Sequence, residues 1–429
     1  MAATEGSTAR VGRVADRLRI GILSDDFYPH SGGVSRSIEQ QIHHLVALGH
    51  QVRLFAPERY LVPPDNCEWE GLPQWRLPGT PSYLCSLAVT PGTIGQVADA
   101  GLDVIHSQNE RGSLYLGALA ARRAGVPHVH TFHSNYVGTH LTNPGSAGLN
   151  SLTYLPLSGR LLQLATRGRS APPDRRPDSD QAGQDSVHAR RDWRNLARLA
   201  ARTDAFTSPA GYMVSCIVEA APDLAGRGHV VPSGVDAAFG RAERARGEDG
   251  IVRFVTCSRL GPEKRVDAVV RAFALLDRED AELVVIGSGP EEKTLRRLAA
   301  TVRKGTVRFL GRLDDTAVMA QQLADADVFV LASYHFDTQG MVLAEAAAAG
   351  APILYCDERL HVGVGAGNAL LVGHSDEELA AGMAELAAAP ERRRQMAQAS
   401  RDLAESLSGE AMAHAYLAVY ADALERHGG

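Results

Sequence analysis

Short β-branched runs alternate with longer patterns of helical period along this chain, and the alternation runs through twice. That rhythm restricts the fold more than any other feature, because strands separated by helices pair in parallel and need helices on both faces. In the first pass, strands are expected over 18–24, 51–56, 103–107, 128–132 and 204–208, with helices over 34–48 and 113–124. Gly49 stops the first of these helices. The rhythm restarts near Val252, with strands over 252–258, 282–287, 307–310, 327–332 and 352–356 and helices over 266–276, 291–302 and 341–349. The expected architecture is α/β, with two similar-sized domains, each built on a parallel sheet.

The expected domain limits are 18–232 and 233–409, with the junction near 232–240. Residues 1–17 read as a disordered tail: the first ten are small and polar and carry no apolar signal region. The stretch 410–429 reads as a helix long enough to cross back to the first unit. Segment 166–191, rich in Pro, Asp, Arg, Ser and Gln, has no apolar period and reads as a flexible insertion. Its arginines are compatible with an anionic lipid or acceptor, and its balancing aspartates with a solvated loop.

Charge and cysteines narrow the function classes. A net charge of −6 on 429 residues argues against a nucleic-acid partner. The cysteines 67, 85, 216, 257 and 356 have neither Cys-x-x-Cys nor Cys/His ligand spacing, and read as reduced thiols of a cytoplasmic protein. No apolar run reaches the roughly 18 residues of a membrane span. Peripheral contact with a membrane surface stays open, and so does the oligomeric state.

In open parallel sheets, ligands bind beyond the carboxyl ends of the strands, and the loops there carry the candidate residues. After the strand 252–258, Arg259 and Lys264 put two cations on one short loop, suited to clamp a diphosphate. The bland alternative is a surface loop pairing Lys264 with Glu263. After 282–287, Gly287 and Gly289 open a helix, where backbone amides approach an anion closely; a plain tight turn reads equally well. After 327–332, the stretch 336–346 runs from Asp337, Gln339 and Gly340 into a helix carrying Met341, Val342 and Glu345. Asp337 and Glu345 lie at most about 12 Å apart at helical rise, the reach of a nucleotide sugar. Capping of the helix by Asp337 or Thr338 is the structural alternative. In the first unit, Gly32 and Gly33 form the loop opposite. Of the three histidines 128, 130 and 133, His133 comes last and is the one expected to donate a hydrogen bond into the cleft.

In their order along residues 20–420, these features resemble glycosyltransferase family 4, the retaining GT-B enzymes: Gly32-Gly33, His133, the Pro232–Asp236 linker, Arg259 with Lys264, Gly287 with Gly289, and the helix reaching Glu345. The resemblance implies two Rossmann-like units facing across a cleft, with Arg259 and Lys264 binding the donor diphosphate, Glu345 the ribose and Asp337 a sugar hydroxyl. The amides of Gln339, Gly340, Met341 and Val342 would hold sugar and phosphate, and His133 would bond the sugar beside the reacting carbon. Gly32 and Gly33 would allow close approach of donor and acceptor, and Gly311 and Arg312 would meet the base. It implies transfer with retention to a hydroxyl acceptor, the leaving diphosphate taking the acceptor's proton. No cofactor and no metal are expected, Asp25-Asp26 being adjacent rather than Asp-x-Asp.

The chain departs from the family at one carboxylate: Asp337 stands where Glu is usual. The Asp-Thr-Gln-Gly context and the string HTFHSNY are similar to the branch of bacterial diacylglycerol glucosyltransferases. That branch suggests UDP-glucose or UDP-N-acetylglucosamine as donor and a lipid, glycan or small specialised metabolite as acceptor. A nucleotide-sugar epimerase and a non-catalytic sugar-nucleotide binder are the other two readings.

Overall fold

A computed structural model of the chain describes residues 17–25, 32–58, 64, 67–76, 85–139, 145, 150–165, 187–247 and 249–428. The tail before residue 17, Ser31, Asp26 and most of the 166–191 insertion lie outside these.

Two parallel sheets carry the fold. The first contains β1 (Arg19–Leu23), β2 (Gln51–Pro57), β3 (Glu68–Leu72), β6 (Val104–Ser107), β7 (His128–Thr131), β8 (Ala205–Ser208) and β9 (Gly228–Val230), in the order β3-β2-β1-β6-β7-β8-β9. Beside it, β4 (Gln74–Arg76) and β5 (Cys85–Leu87) form an antiparallel pair. The second sheet runs β12-β11-β10-β13-β14-β15, from β10 (Val252–Cys257), β11 (Ala281–Ile286), β12 (Thr306–Gly311), β13 (Val328–Leu331), β14 (Ile353–Tyr355) and β15 (Ala369–Leu371). Strands such as β11 and β13 are buried along their whole length, as expected of parallel strands covered on both faces.

In each sheet the strand order reverses once, between β1 and β6 in the first and between β10 and β13 in the second. Loops leaving neighbouring strands at such a point turn to opposite faces and leave a crevice between them. The loops after β1, β10 and β13, beside these crevices, carry most of the candidate residues, and His133 follows the neighbouring β7.

The segment between the sheets already belongs to the second: Val235 and Phe239 are buried with Val255, Leu331 and Leu343. Most of the chain after the second sheet also packs on it, but the last helix, Gly409–Gly428, does not. It lies along the helix Gly33–Ala47 and buries Met412, Ala413, Tyr416, Tyr420 and Ala423 against Ile20, Ile22 and Val129 of the first unit. Among the described residues, no helix is long and apolar enough to cross a membrane.

Candidate active site

The residues after β10 and β13 form the second unit's wall. The guanidinium of Arg259 reaches the buried carboxylate of Glu263, one turn ahead. Lys264 instead pairs with Asp337 and stands 5.6 Å from the ring centroid of Phe336. The Lys264–Glu263 pair considered from sequence is therefore replaced by Arg259–Glu263, because the turn Pro262–Lys264 brings Glu263 back over Arg259. Burial pushes the Asp337 carboxyl up, but the neighbouring Lys264 ammonium outweighs it and leaves the group below its ordinary value. Asp337 Oδ2 and the hydroxyls of Ser258 and Ser333 are buried without a well-formed hydrogen bond, the Ser333 hydroxyl lying near enough to Asp337 to help lower its carboxyl. Buried polar atoms are normally satisfied, so orphans at the ends of two adjacent central strands suit a polar ligand.

Neither Asp337 nor Thr338 caps the helix Met341–Ala348. Its N-cap is Gly340 at φ 70°, which has no side chain to offer, so the first-turn amides are left to other partners. Gln339 is buried, and its amide is bound to the backbone of Ser233 on both sides, at 2.8 and 3.2 Å. Glu345 is also buried, in an Ala-rich helix; burial pushes its carboxyl up, while Arg36 of the first unit, 3.3 Å away, pulls it back. At Gly287 (φ 129°) and Gly289 a Cβ would meet the backbone oxygens of Ser258 and Leu260, at 1.9 and 2.4 Å. These two glycines let the loops after β10 and β11 touch. Gly311 takes φ 69°, and Arg312 pairs with Asp314 at 2.7 Å.

In the first unit, Gly32 takes φ 104°, and a Cβ on Gly33 would sit 3.0 Å from the sulfur of Met341 across the cleft. His128 and His130 both point into the core, onto the Ser107 hydroxyl at 2.8 Å. His133 lies just past β7, half-buried, with Nε2 2.8 Å from Gln108 Oε1. Burial pushes its imidazole down to about 4, so the ring is neutral near pH 7. Glu110 is almost fully buried and its carboxyl is pushed up to about 7 by burial. It accepts from the backbone of His133 (3.2 Å) and Ser134 (3.3 Å) and from the Ser134 hydroxyl (2.9 Å). Asp25 braces the fold, accepting from the Leu87 and Ser113 amides and the Ser113 hydroxyl.

The two walls touch directly. The Thr338 hydroxyl donates to the His133 carbonyl at 2.8 Å, and Asn135 Nδ2 donates to the Phe336 carbonyl at 2.9 Å. The Tyr212 hydroxyl donates to the Asp337 carbonyl at 3.1 Å, while Arg359 lies over the Tyr212 ring at 4.8 Å. Sequence reasoning missed Arg36, Gln108, Glu110, Asn135 and Tyr212. Gln108 and Glu110 follow β6 directly, so the strand-end rule that found His133 also points to them; Arg36 and Tyr212 show no local signal.

Residues 31–239 match the family model described as Glycosyltransferase Family 4, and residues 241–403 the one described as Glycosyl transferases group 1. The chain is a family 4 glycosyltransferase of GT-B fold. This glycosyltransferase uses a nucleotide-sugar donor. It is 28% identical over 347 residues to a GDP-mannose-dependent alpha-mannosyltransferase of Mycolicibacterium smegmatis, covering 79% of this chain and 80% of that one. It is 24% identical over 358 residues to the alpha-monoglucosyldiacylglycerol synthase of Streptococcus pneumoniae, covering 79% and 70%. In fold it is similar to a glycosyltransferase from Rickettsia africae (TM-score 0.64, 14% identity, 96% and 99% covered). The Anabaena protein HepE, solved with UDP, is comparably similar (TM-score 0.63, 17% identity, 92% and 98% covered).

Proposed function

We propose that this glycosyltransferase moves a hexose from a nucleoside diphosphate to a hydroxyl acceptor with retention, forming an α-glycosidic bond without a metal. The observation that carries the reading is the cluster at the ends of β10 and β13, where Lys264, the orphaned Asp337 Oδ2 and the Ser258 and Ser333 hydroxyls meet. An arriving diphosphate competes with Asp337 for the Lys264 ammonium and gains Arg259 beside it. Asp337, released, has both oxygens for sugar hydroxyls. The uncapped start of the helix Met341–Ala348 adds amides that favour an anion.

Of the described carboxylates named at the cleft, Glu345 is held by Arg36 and Glu110 by the loop carrying His133, and Asp337, once released from Lys264, is taken up by sugar hydroxyls. That use of the three supports proton transfer to the leaving diphosphate on the same face of the sugar. The protein's part is then positioning and charge stabilisation. Arg259 and Lys264 supply the charge a metal would otherwise bring. The one group of ligand-type side chains found among the described residues, His335, Asp357 and Glu358, already has Arg359 on Asp357 at 2.9 and 3.0 Å.

The relatives' names point to GDP-mannose and to a glucosyl donor, and HepE was solved with UDP. UDP-glucose, UDP-N-acetylglucosamine and GDP-mannose with EDTA, with and without diacylglycerol, glycan and small-metabolite acceptors, form the test. Acceptor-dependent nucleotide release that EDTA leaves intact is the expected result. Donor conversion without an acceptor would mean an epimerase, and binding with no release under any condition a non-catalytic binder.

A further inference from the structure

The histidine in the cleft is wired to the interior by a run of buried side chains, and the sense of that run sets where its proton sits. Gln108 is fully buried, and its Nε2 donates to Gln41 Oε1 at 2.8 Å. Gln41 Nε2 donates in turn to the Tyr420 hydroxyl at 2.8 Å. That hydroxyl lies 2.8 Å from His106 Nδ1, and His106 Nε2 lies 2.7 Å from the Thr131 hydroxyl. With the Gln108 amide nitrogen turned to Gln41, its carbonyl oxygen faces His133 Nε2 at 2.8 Å. A carbonyl oxygen accepts and cannot donate, so in this orientation of the Gln108 amide Nε2 carries the hydrogen. The ring is neutral and holds only one. Nδ1 is therefore a lone pair, and among the described residues it makes no hydrogen bond.

We propose that Gln108 is a positioning residue that holds His133 as its Nε2–H tautomer, so that His133 meets the donor sugar through Nδ1 as an acceptor and requires a hydroxyl there. The inference rests on the reading of the cleft given above and reverses the direction of the hydrogen bond expected from sequence. The main chain of His133 cannot turn to relieve the constraint. Its N–H is held by Glu110, and its carbonyl receives the Thr338 hydroxyl from the opposite unit. A bare lone pair repels phosphate oxygen and any other group that only accepts, and it selects O–H.

Two measurements decide the matter separately. The first is ¹⁵N NMR of the free, histidine-labelled full chain, with the His133 signals assigned by their loss in His133→Asn. The expected spectrum is the neutral Nε2–H tautomer. An Nδ1–H tautomer, which the same run of amides read in reverse would give, overturns the inference. Gln108→Leu is expected to release the ring into a mixture and to lower donor kcat/KM about tenfold. Gln108→Glu, which keeps an oxygen toward Nε2, is expected to restore the proton there. A variant that folds with His133 unchanged overturns the role of Gln108, and the wild-type spectrum stands even where Gln108→Leu does not fold.

The second measurement compares the accepted donor, taken from UDP-glucose, UDP-N-acetylglucosamine and GDP-mannose, with its monodeoxyfluoro analogues. Fluorine accepts but cannot donate. One position should lose about tenfold with the wild type and little with His133→Ala. Equal loss in both proteins overturns the acceptor role. Should His133→Ala turn over all donors normally, with the His133 signals unmoved by them, the reading of the cleft fails while the tautomer still stands on the free protein's spectrum.

Discussion

Lys264 pairs with the Asp337 carboxylate and would face a diphosphate once a donor binds. Its exchange of partners is the residue-scale event on which the proposed chemistry turns. A charge-assisted hydrogen bond contributes about 1.5–3 kcal/mol, so Lys264→Ala should lower kcat/KM about 10- to 150-fold. The same substitution leaves the buried Asp337 without its ion pair, and its carboxyl should rise toward the ordinary range or above. Steady-state kinetics over the donor concentration range checks the first effect; near-normal turnover would take Lys264 out of the clamp. Glu110 gives a second residue-scale outcome, with the sign fixed by its carboxyl being pushed up to about 7 from an ordinary 4.5. A raised carboxyl contributes stability that is fully present below 4.5 and is lost as pH rises through about 7. Glutamine mimics the protonated form throughout. Melting curves of wild type and Glu110→Gln should therefore diverge in favour of the variant as pH climbs across that window, and a pH-independent gap would contradict the burial argument.

At the scale of elements, the strands buried on both faces were legible because their apolar runs are continuous and bounded by Gly, Pro or Asp. β1, β2, β10, β11 and β13 fall within a residue or two of where the sequence places them, and the helix Val266–Leu276 matches at both ends. β3, β4 and β5 were not legible. β3 is the edge strand of the first sheet and β4 and β5 lie beside it; they hold the exposed Trp69 and Trp75 and have no run long enough to signal burial. The helix Pro91–Ala98 was also missed, although Thr90 and Thr93 form a capping box before it and Pro91 stands at its first position. Its short apolar pattern hid that signal. The site divides in the same way. Residues carried by strand-end loops could be named from sequence, whereas Arg36 opposite Glu345 and Tyr212 opposite Asp337 are long-range pairings that only the folded chain brings together. The last helix, Gly409–Gly428, shows what such pairing contributes. Tyr420 is fully buried and its hydroxyl serves Gln41 and His106 together. Tyr420→Phe keeps the ring and removes the shared hydroxyl, leaving Gln41 Nε2 and His106 Nδ1 their mutual 3.2 Å contact in the core, which should cost about 1–3 kcal/mol, read from urea unfolding midpoints at unchanged m-value.

For the whole molecule, the two units meet through polar contacts at the cleft itself, not through a shared apolar core. Thr338 with His133, Asn135 with Phe336 and Tyr212 with Asp337 are single hydrogen bonds, and Gly33 against Met341 is a close approach that only a small residue permits. Interfaces of this kind are easily opened, and closure over a bound donor is a common gating step in two-domain enzymes. The side chain of Asn135 also accepts from the Gly138 amide at 2.8 Å, so the residue shapes its own loop while it reaches across. Asn135→Ala removes the cross-cleft bond to the Phe336 carbonyl at 2.9 Å, with the longer one to the His335 carbonyl at 3.4 Å, and touches none of the groups assigned to the donor. A neutral hydrogen bond contributes about 0.5–1.5 kcal/mol, so the closed arrangement should become less populated by about two- to thirteenfold. An apparent affinity scales with the fraction of molecules competent to bind. The expected outcome is therefore a donor KM raised by up to that factor with kcat nearly unchanged, accompanied by a larger radius of gyration in solution scattering of the free variant. A fall in kcat at constant KM would instead mean that Asn135 acts in the transition state, and the cleft contacts would then belong to the chemistry and not to closure.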